Sequence, residues 1–165
     1  MMTVTIRKAK LSDLDELVNL WNEFIITSNA ILVRKNPELK PYLALKKDFL
    51  KLIKKWLVKT IRSRNSLVTL VEDKNRIVGV CVTKINKNNP IMRLEKLGYI
   101  NDIYVKKEYR GTGISSKFKN EALTWLKNKG IKHISLSVDF SNEHARKVYK
   151  NWGFIDYSID KRRKI

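Results

Sequence analysis

Converging backbone N–H groups can hold a phosphate without any charged side chain. The stretch Tyr104-Val105-Lys106-Lys107-Glu108-Tyr109-Arg110-Gly111-Thr112-Gly113-Ile114-Ser115 has the composition for such a cradle. A strand-like segment enters a turn with two glycines and passes straight into a helix. The first amides of that helix lack intrahelical acceptors, and the helix dipole is positive there. Glycine lets the backbone come close to a ligand. The same pattern also occurs as plain structure, so the turn alone leaves both readings open. It is not a P-loop, because the Gly-Lys-Ser/Thr ending is missing. It is not a dinucleotide fingerprint, because a polar segment separates the strand from the glycines. About thirty residues on, Asn142, Ala145 and Tyr149 stand three and four apart, on one face of a short helix, and Gly153-Phe154 follow. Tyr149 there is either a phenol available to donate a proton or a packing residue with its hydroxyl at the surface.

Val4 to Lys8 is expected to form a short strand. A helix then opens at Ser12, with Leu14, Leu17, Val18, Trp21, Phe24 and Ile25 on one face. Asn29 to Lys40 reads as a polar connection. Pro41 suits a first helical turn, and a long helix is expected after it, with Leu45, Phe49, Leu52, Ile53, Trp56 and Leu57 as its apolar stripe. Lys46, Lys47, Lys51, Lys54, Lys55, Lys59 and Arg62 cover the remainder. Leu67–Val71 and Ile77–Val82 flank Asp73-Lys74-Asn75 as a hairpin. Tyr99–Val105 is a strand. The helix after the glycine turn carries Ile114, Phe118, Ala122, Trp125 and Leu126, and Gly130 ends it. Ile134–Val138 is a strand, a short helix begins at Asn142, and Phe154–Ile159 is a last strand before a basic tail. Residues 1–165 form one α+β domain, in the order β-α-α-β-β-β-α-β-α-β.

Lys and Arg number 35 against 16 Asp and Glu, a formal charge of +19. That field favours anionic partners and disfavours cationic ones. Cys81 is the only cysteine, and His133 and His144 are the only histidines. No internal disulfide can form, and no metal-ligand spacing exists. No leader-like apolar segment follows Met1, and no apolar run is long enough to span a bilayer. A cytoplasmic location and no membrane association are the expectations.

Taken together, Arg110-Gly111-Thr112-Gly113-Ile114-Ser115 and Asn142-x-x-Ala145-x-x-x-Tyr149 with Gly153-Phe154 resemble two motifs of the GNAT acetyltransferase superfamily, in the same order and at the same spacing. Asn101-Asp102-Ile103-Tyr104-Val105 with Glu108-Tyr109-Arg110-Gly111 is most similar to the diamine-acetyltransferase-like branch. The resemblance implies a GNAT fold, with a mixed central sheet of about six to seven strands flanked by about four helices. It implies acetyl-CoA as co-substrate, no metal, and transfer of an acetyl group to a primary amine. Backbone groups of Ile103, Tyr104 and Val105 would pair with the pantetheine arm. Arg110 belongs to the signature, and the amides of Gly111, Thr112, Gly113, Ile114, Ser115 and Ser116 would hold the pyrophosphate. Asn142 and Ala145 would line the cofactor, with Asn142 at its amide region. Tyr149 would protonate the departing thiolate.

Two positions depart from the family pattern. Ser115 replaces a glycine or alanine, which leaves the backbone donor in place. Asn101 replaces a Glu that is a candidate general base, and an amide side chain accepts no proton. Asp102 is the next candidate, acting through a water. An unbroken strand puts it on the opposite face, and only a bulge re-aims it. Glu72 is a weaker option, and bulk water a third. The charge argues against polyamines as acceptors and for a protein or peptide amine, an acidic one included, or a small amine. A homodimer is an expectation by analogy with such folds. The alternatives are a basic nucleic-acid-binding module, with only weak salt-dependent binding expected from charge alone, or a non-catalytic acyl-CoA-binding module.

Overall fold

The structure is a computed structural model that describes residues 4–164. Met1 to Thr3, part of the segment read for a leader, lie outside the described residues. Five strands form one sheet in the order β1-β2-β3-β4-β5. They are β1 (Thr5–Lys8), β2 (Ser66–Asp73), β3 (Arg76–Lys87), β4 (Lys96–Val105) and β5 (Ile134–Leu136). The first four run antiparallel, and β5 lies parallel to β4. The helices are α1 (Leu14–Lys35), the single-turn α2 (Lys40–Leu43), α3 (Phe49–Arg62), α4 (Ile114–Asn128) and α5 (Glu143–Asn151).

Each face of the sheet buries its own core, as alternation along strands requires. On one face Leu17, Leu20 and Trp21 of α1 and Leu57 of α3 pack onto Leu70, Val80, Val82 and Tyr104. On the other, Ile114, Phe118 and Ala122 of α4 pack onto Val71, Val78, Cys81, Ile100 and Val105. The approach of α4 is tight at Gly98, where an added Cβ would lie 2.6 Å from Leu126 Cδ1. Leu126 is itself buried. Gly98→Val is therefore expected to cost about 1–3 kcal/mol of stability, the usual range for overpacking. Denaturant unfolding measures it.

The α+β class and the hairpin follow the sequence reading. Several element limits differ. The first helix continues through Asn29 to Lys35, because Ala30, Leu32, Arg34 and Lys35 favour helix and the first breaker is Pro37. Asn36 ends it, donating its N–H to Leu32 O at 2.9 Å. The long helix starts at Phe49, not near Pro41, which sits in α2. Leu45 and Leu52 of the expected stripe are exposed, while Ile53, Trp56 and Leu57 face the core. Finally, the sheet has five strands rather than six or seven, and Phe154–Ile159 is not a strand. Its alternating apolar pattern has no neighbouring strand to pair with, and Ile155 and Tyr157 are 87% and 94% exposed.

Candidate active site

The strand pair that opens the site is β4 with β5. Their pairing covers Gly98↔Ile134, Tyr99↔Ser135 and Ile100↔Leu136, and then ends. β4 continues to Val105 while the other chain leaves at Ser137, so the edge of β4 from Asn101 to Val105 borders a wedge instead of a strand. Tyr99 pins the apex, its hydroxyl bonded to Ser137 Oγ at 2.8 Å. The expected strand to Val138 is three residues long for this reason. Ile103, Tyr104 and Val105 all lie on the open edge. The Tyr104 side chain points into the α1 core, 4.9 Å from the Phe24 ring, and donates its O–H to Glu23 Oε1 at 2.7 Å.

Beyond β4 the turn is held rigid by its own side chains. Tyr109 donates its O–H to Asp73 Oδ2 on the β2–β3 hairpin at 2.8 Å. Thr112 Oγ1 donates to Tyr109 O at 2.7 Å, and Arg110 Nε donates to Val105 O at 3.0 Å. Arg110 thus folds back on the strand it follows. The Tyr109–Asp73 pair spans 36 residues and had no local signal in the sequence. Gly111 and Gly113 have φ of 78° and 82°, the left-handed region where other residues are strained. The first helical bond of α4 is Lys117 N–H to Gly113 O at 3.1 Å. The amides of Ile114, Ser115 and Ser116 therefore emerge at the positive end of the helix with no intrahelical acceptor. Ile114 packs in the same core as Val105, the last residue of β4.

Tyr149 projects from α5. Its ring lies 5.4 Å from Trp152 and 6.2 Å from Phe154, and Phe154 N–H returns to Tyr149 O at 3.0 Å. Burial raises the phenol above its ordinary range, and the neighbouring Asp102 carboxylate acts in the same direction. At neutral pH it keeps its proton, the state in which it can donate. Asn142 is the N-cap of α5, and Ala145 N–H donates to its Oδ1 at 3.2 Å. The three-residue spacing thus has a local cause in helix capping.

Asp102 is re-aimed by a bulge. Thr83 pairs with Ile100, Val82 pairs with Asp102, and Asn101 is the extra residue between them. Two residues oppose one, so Asp102 takes the face an unbroken strand would give to Asn101. Burial raises its carboxyl above the usual range, while the Asn101 amide and the Lys84 ammonium pull it back. Asn101 Nδ2 donates to Asp102 Oδ2. Glu72 is bonded to Arg7 instead, on the far side of the sheet order from β4. Cys81 is fully buried with its thiol pushed up to about 12, so it is an inert core residue. Among the described residues no group of three or more metal-ligating side chains gathers, and no helix is long and apolar enough to cross a membrane.

Residues 30–154 match the acetyltransferase (GNAT) family. The chain is 32% identical over 87 residues to N-alpha-acetyltransferase 30 of Schizosaccharomyces pombe, covering 52% of this chain and 55% of that protein. It is 26% identical over 159 residues to an uncharacterized N-acetyltransferase of Methanocaldococcus jannaschii, covering 96% of this chain and 64% of that one. The chain thus spans from about half to just under two thirds of these relatives. The structure of a predicted acetyltransferase with acetyl-CoA from Clostridium acetobutylicum superimposes with a TM-score of 0.73 at 20% identity, over 98% of this chain and 96% of that one. At that identity the likeness is one of fold.

Proposed function

Because the chain belongs to the GNAT acetyltransferase family, we propose that it binds acetyl-CoA in the β4–β5 wedge and transfers the acetyl group to a primary amine. The observation that supports this reading is an open edge of β4, where pairing with β5 ends at Ile100, together with helix-start amides at α4 that have no intrahelical acceptor. The open edge of β4 suits an extended pantetheine arm, and the amides at residues 111–116 suit a pyrophosphate. A Cβ added at Gly113 would face open space, so this side of the turn is accessible. Asn142 Oδ1 is occupied by the cap, so its contact with the cofactor is through Nδ2.

Acetyl-CoA supplies a thioester whose acyl carbon an amine attacks. Tyr149 donates its phenolic proton to the departing sulfur. Asp102 takes the proton the attacking nitrogen loses, directly or through one water. The raised carboxyl is a better base than an ordinary Asp, which suits that task. The nitrogen must be neutral to attack. An α-amine, with pKa near ~8, needs less help than a lysine near ~10.4. With Asn101 where a Glu would stand, an α-amine of a peptide is the better matched acceptor, in keeping with the name of the Schizosaccharomyces relative.

The pH dependence follows in sign. Asp102 is active as the carboxylate, so kcat/KM should fall as pH drops through its elevated pKa. Asp102→Asn is expected to lower kcat by about 10²-fold and to abolish that acid limb. Stability moves the other way. A folded-state carboxyl raised above its unfolded value opposes folding at neutral pH and stops doing so as pH falls. The same variant should therefore melt higher than the parent at pH 7. An unchanged acid limb in the variant assigns the proton to water.

Thiol release from acetyl-CoA, followed with a peptide free at its N-terminus and with spermidine, tests the acceptor class. The peptide should be turned over, and spermidine should do no better than buffer, because a +19 chain repels a polycation. Efficient spermidine turnover would overturn the acceptor assignment.

A further inference from the structure

On the α1/α3 face of the sheet, a shallow cleft of about 250 Å³ opens between the last turns of α3, the α3–β2 turn and the end of β3. Trp56, Lys59, Ser63, Asn65, Lys84 and Asn86 are among its lining, and none of its lining residues is acidic. The Lys84 ammonium sits 4.5 Å from the centre of the Trp56 ring. Among the described residues, neither Lys59 nor Lys84 takes part in an ion pair. Asn65 N–H donates to Ser63 Oγ at 3.1 Å, which leaves the Ser63 hydroxyl proton able to point elsewhere. The cleft therefore gathers two cations and several neutral donors around one concavity.

We propose that this cleft binds a small molecule through a phosphoryl or carboxylate group. Two ammonium groups facing one cleft repel each other, and partial burial makes the Lys84 charge costlier, a cost that the face of the Trp56 ring offsets only in part. Burial pushes Lys84 below the ordinary lysine range, the Asp102 carboxylate opposes it in part, and Lys59 adds a smaller push downward. An anion seated between the lysines cancels that repulsion and accepts from Ser63 and the Asn65 and Asn86 amides. The site is separate from the turn at residues 111–116. Gly79 pairs with Val105 next to that turn, whereas Lys84 lies five residues further along β3, about 17 Å at ~3.4 Å per residue. It is nearer to Asp102, since Lys84 is two residues from Val82, the partner of Asp102.

The four tryptophans give a local readout, with Trp56 alone lining the cleft. Inorganic phosphate is titrated at constant ionic strength against the indole N–H signals of the whole chain. The Trp56 signal should shift saturably while Trp125 and Trp152 stay still. Lys84→Gln, and separately the exposed Lys59→Gln, should weaken the apparent Kd at least tenfold with the rest of the spectrum unchanged. A shift that is linear or shared by all indoles overturns the proposal, as does parental affinity in both variants. A second arm rests on the acetyl-transfer reading and identifies the source of the anion. If phosphoethanolamine is acetylated better than ethanolamine and Lys84→Gln removes the preference, the anion is part of the acceptor. If the indole shift occurs with no such preference, the anion is a separate ligand.

Discussion

Tyr149→Phe should lower kcat for acetyl transfer by about 10²- to 10⁴-fold, the range of general acid–base catalysis, and leave the Kd for acetyl-CoA within about twofold. The substitution removes one oxygen and keeps the ring. Its contacts with Trp152 and Phe154 are made by the ring, so packing and the placement of α5 should persist. The hydroxyl is also the only group of this side chain that can protonate a leaving thiolate. The pH profile adds a check. The phenol is raised by burial and by neighbouring negative charge, so its loss by ionisation falls above its ordinary titration range. An alkaline limb in the parent, absent in the variant, identifies it. A variant that keeps its full rate would demote Tyr149 to a packing residue and leave the thiolate to be protonated by water.

Ser116→Asp separates fold from ligand binding by opposite signs. Residue 116 is exposed in the first turn of α4. A carboxylate there interacts favourably with the helix dipole, by about 0.3–1 kcal/mol, so thermal stability should hold or rise. The same charge sits where the pyrophosphate is proposed to rest. Repulsion and competition for the amides should weaken acetyl-CoA binding at least tenfold, read by calorimetry. A variant both more stable and poorer at binding is hard to explain unless an anion occupies that turn. Unchanged affinity would move the diphosphate elsewhere.

Much of this site was legible along the chain because its parts are local. The glycines at 111 and 113 announce a turn, and the structure gives both the left-handed φ that a turn of this kind requires. The helix after them follows from the spacing of Ile114, Phe118 and Ala122, all of which are buried. What could not be read depends on pairing. The bulge at Asn101 exists only in the register between β3 and β4, about twenty residues apart, and no local pattern announces it. Yet it decides which of Asn101 and Asp102 takes the face of Val82. Phe154–Ile159 shows the converse error, since alternation is a promise of a strand that only a neighbour can keep. Asn142 is an instance of two causes sharing one spacing, as a cap and a ligand contact both ask for a polar residue at the head of α5.

The proposed acetyl transfer rests on the backbone at residues 111–116 and on the reach of Tyr149 into the wedge. A crystal structure of this chain with coenzyme A bound tests both at once. It should show the diphosphate within hydrogen-bond distance of those amides, the pantetheine arm alongside β4 between Asn101 and Val105, and the sulfur beside the Tyr149 hydroxyl. Coenzyme bound away from that turn, or a sulfur out of reach of Tyr149, would contradict it.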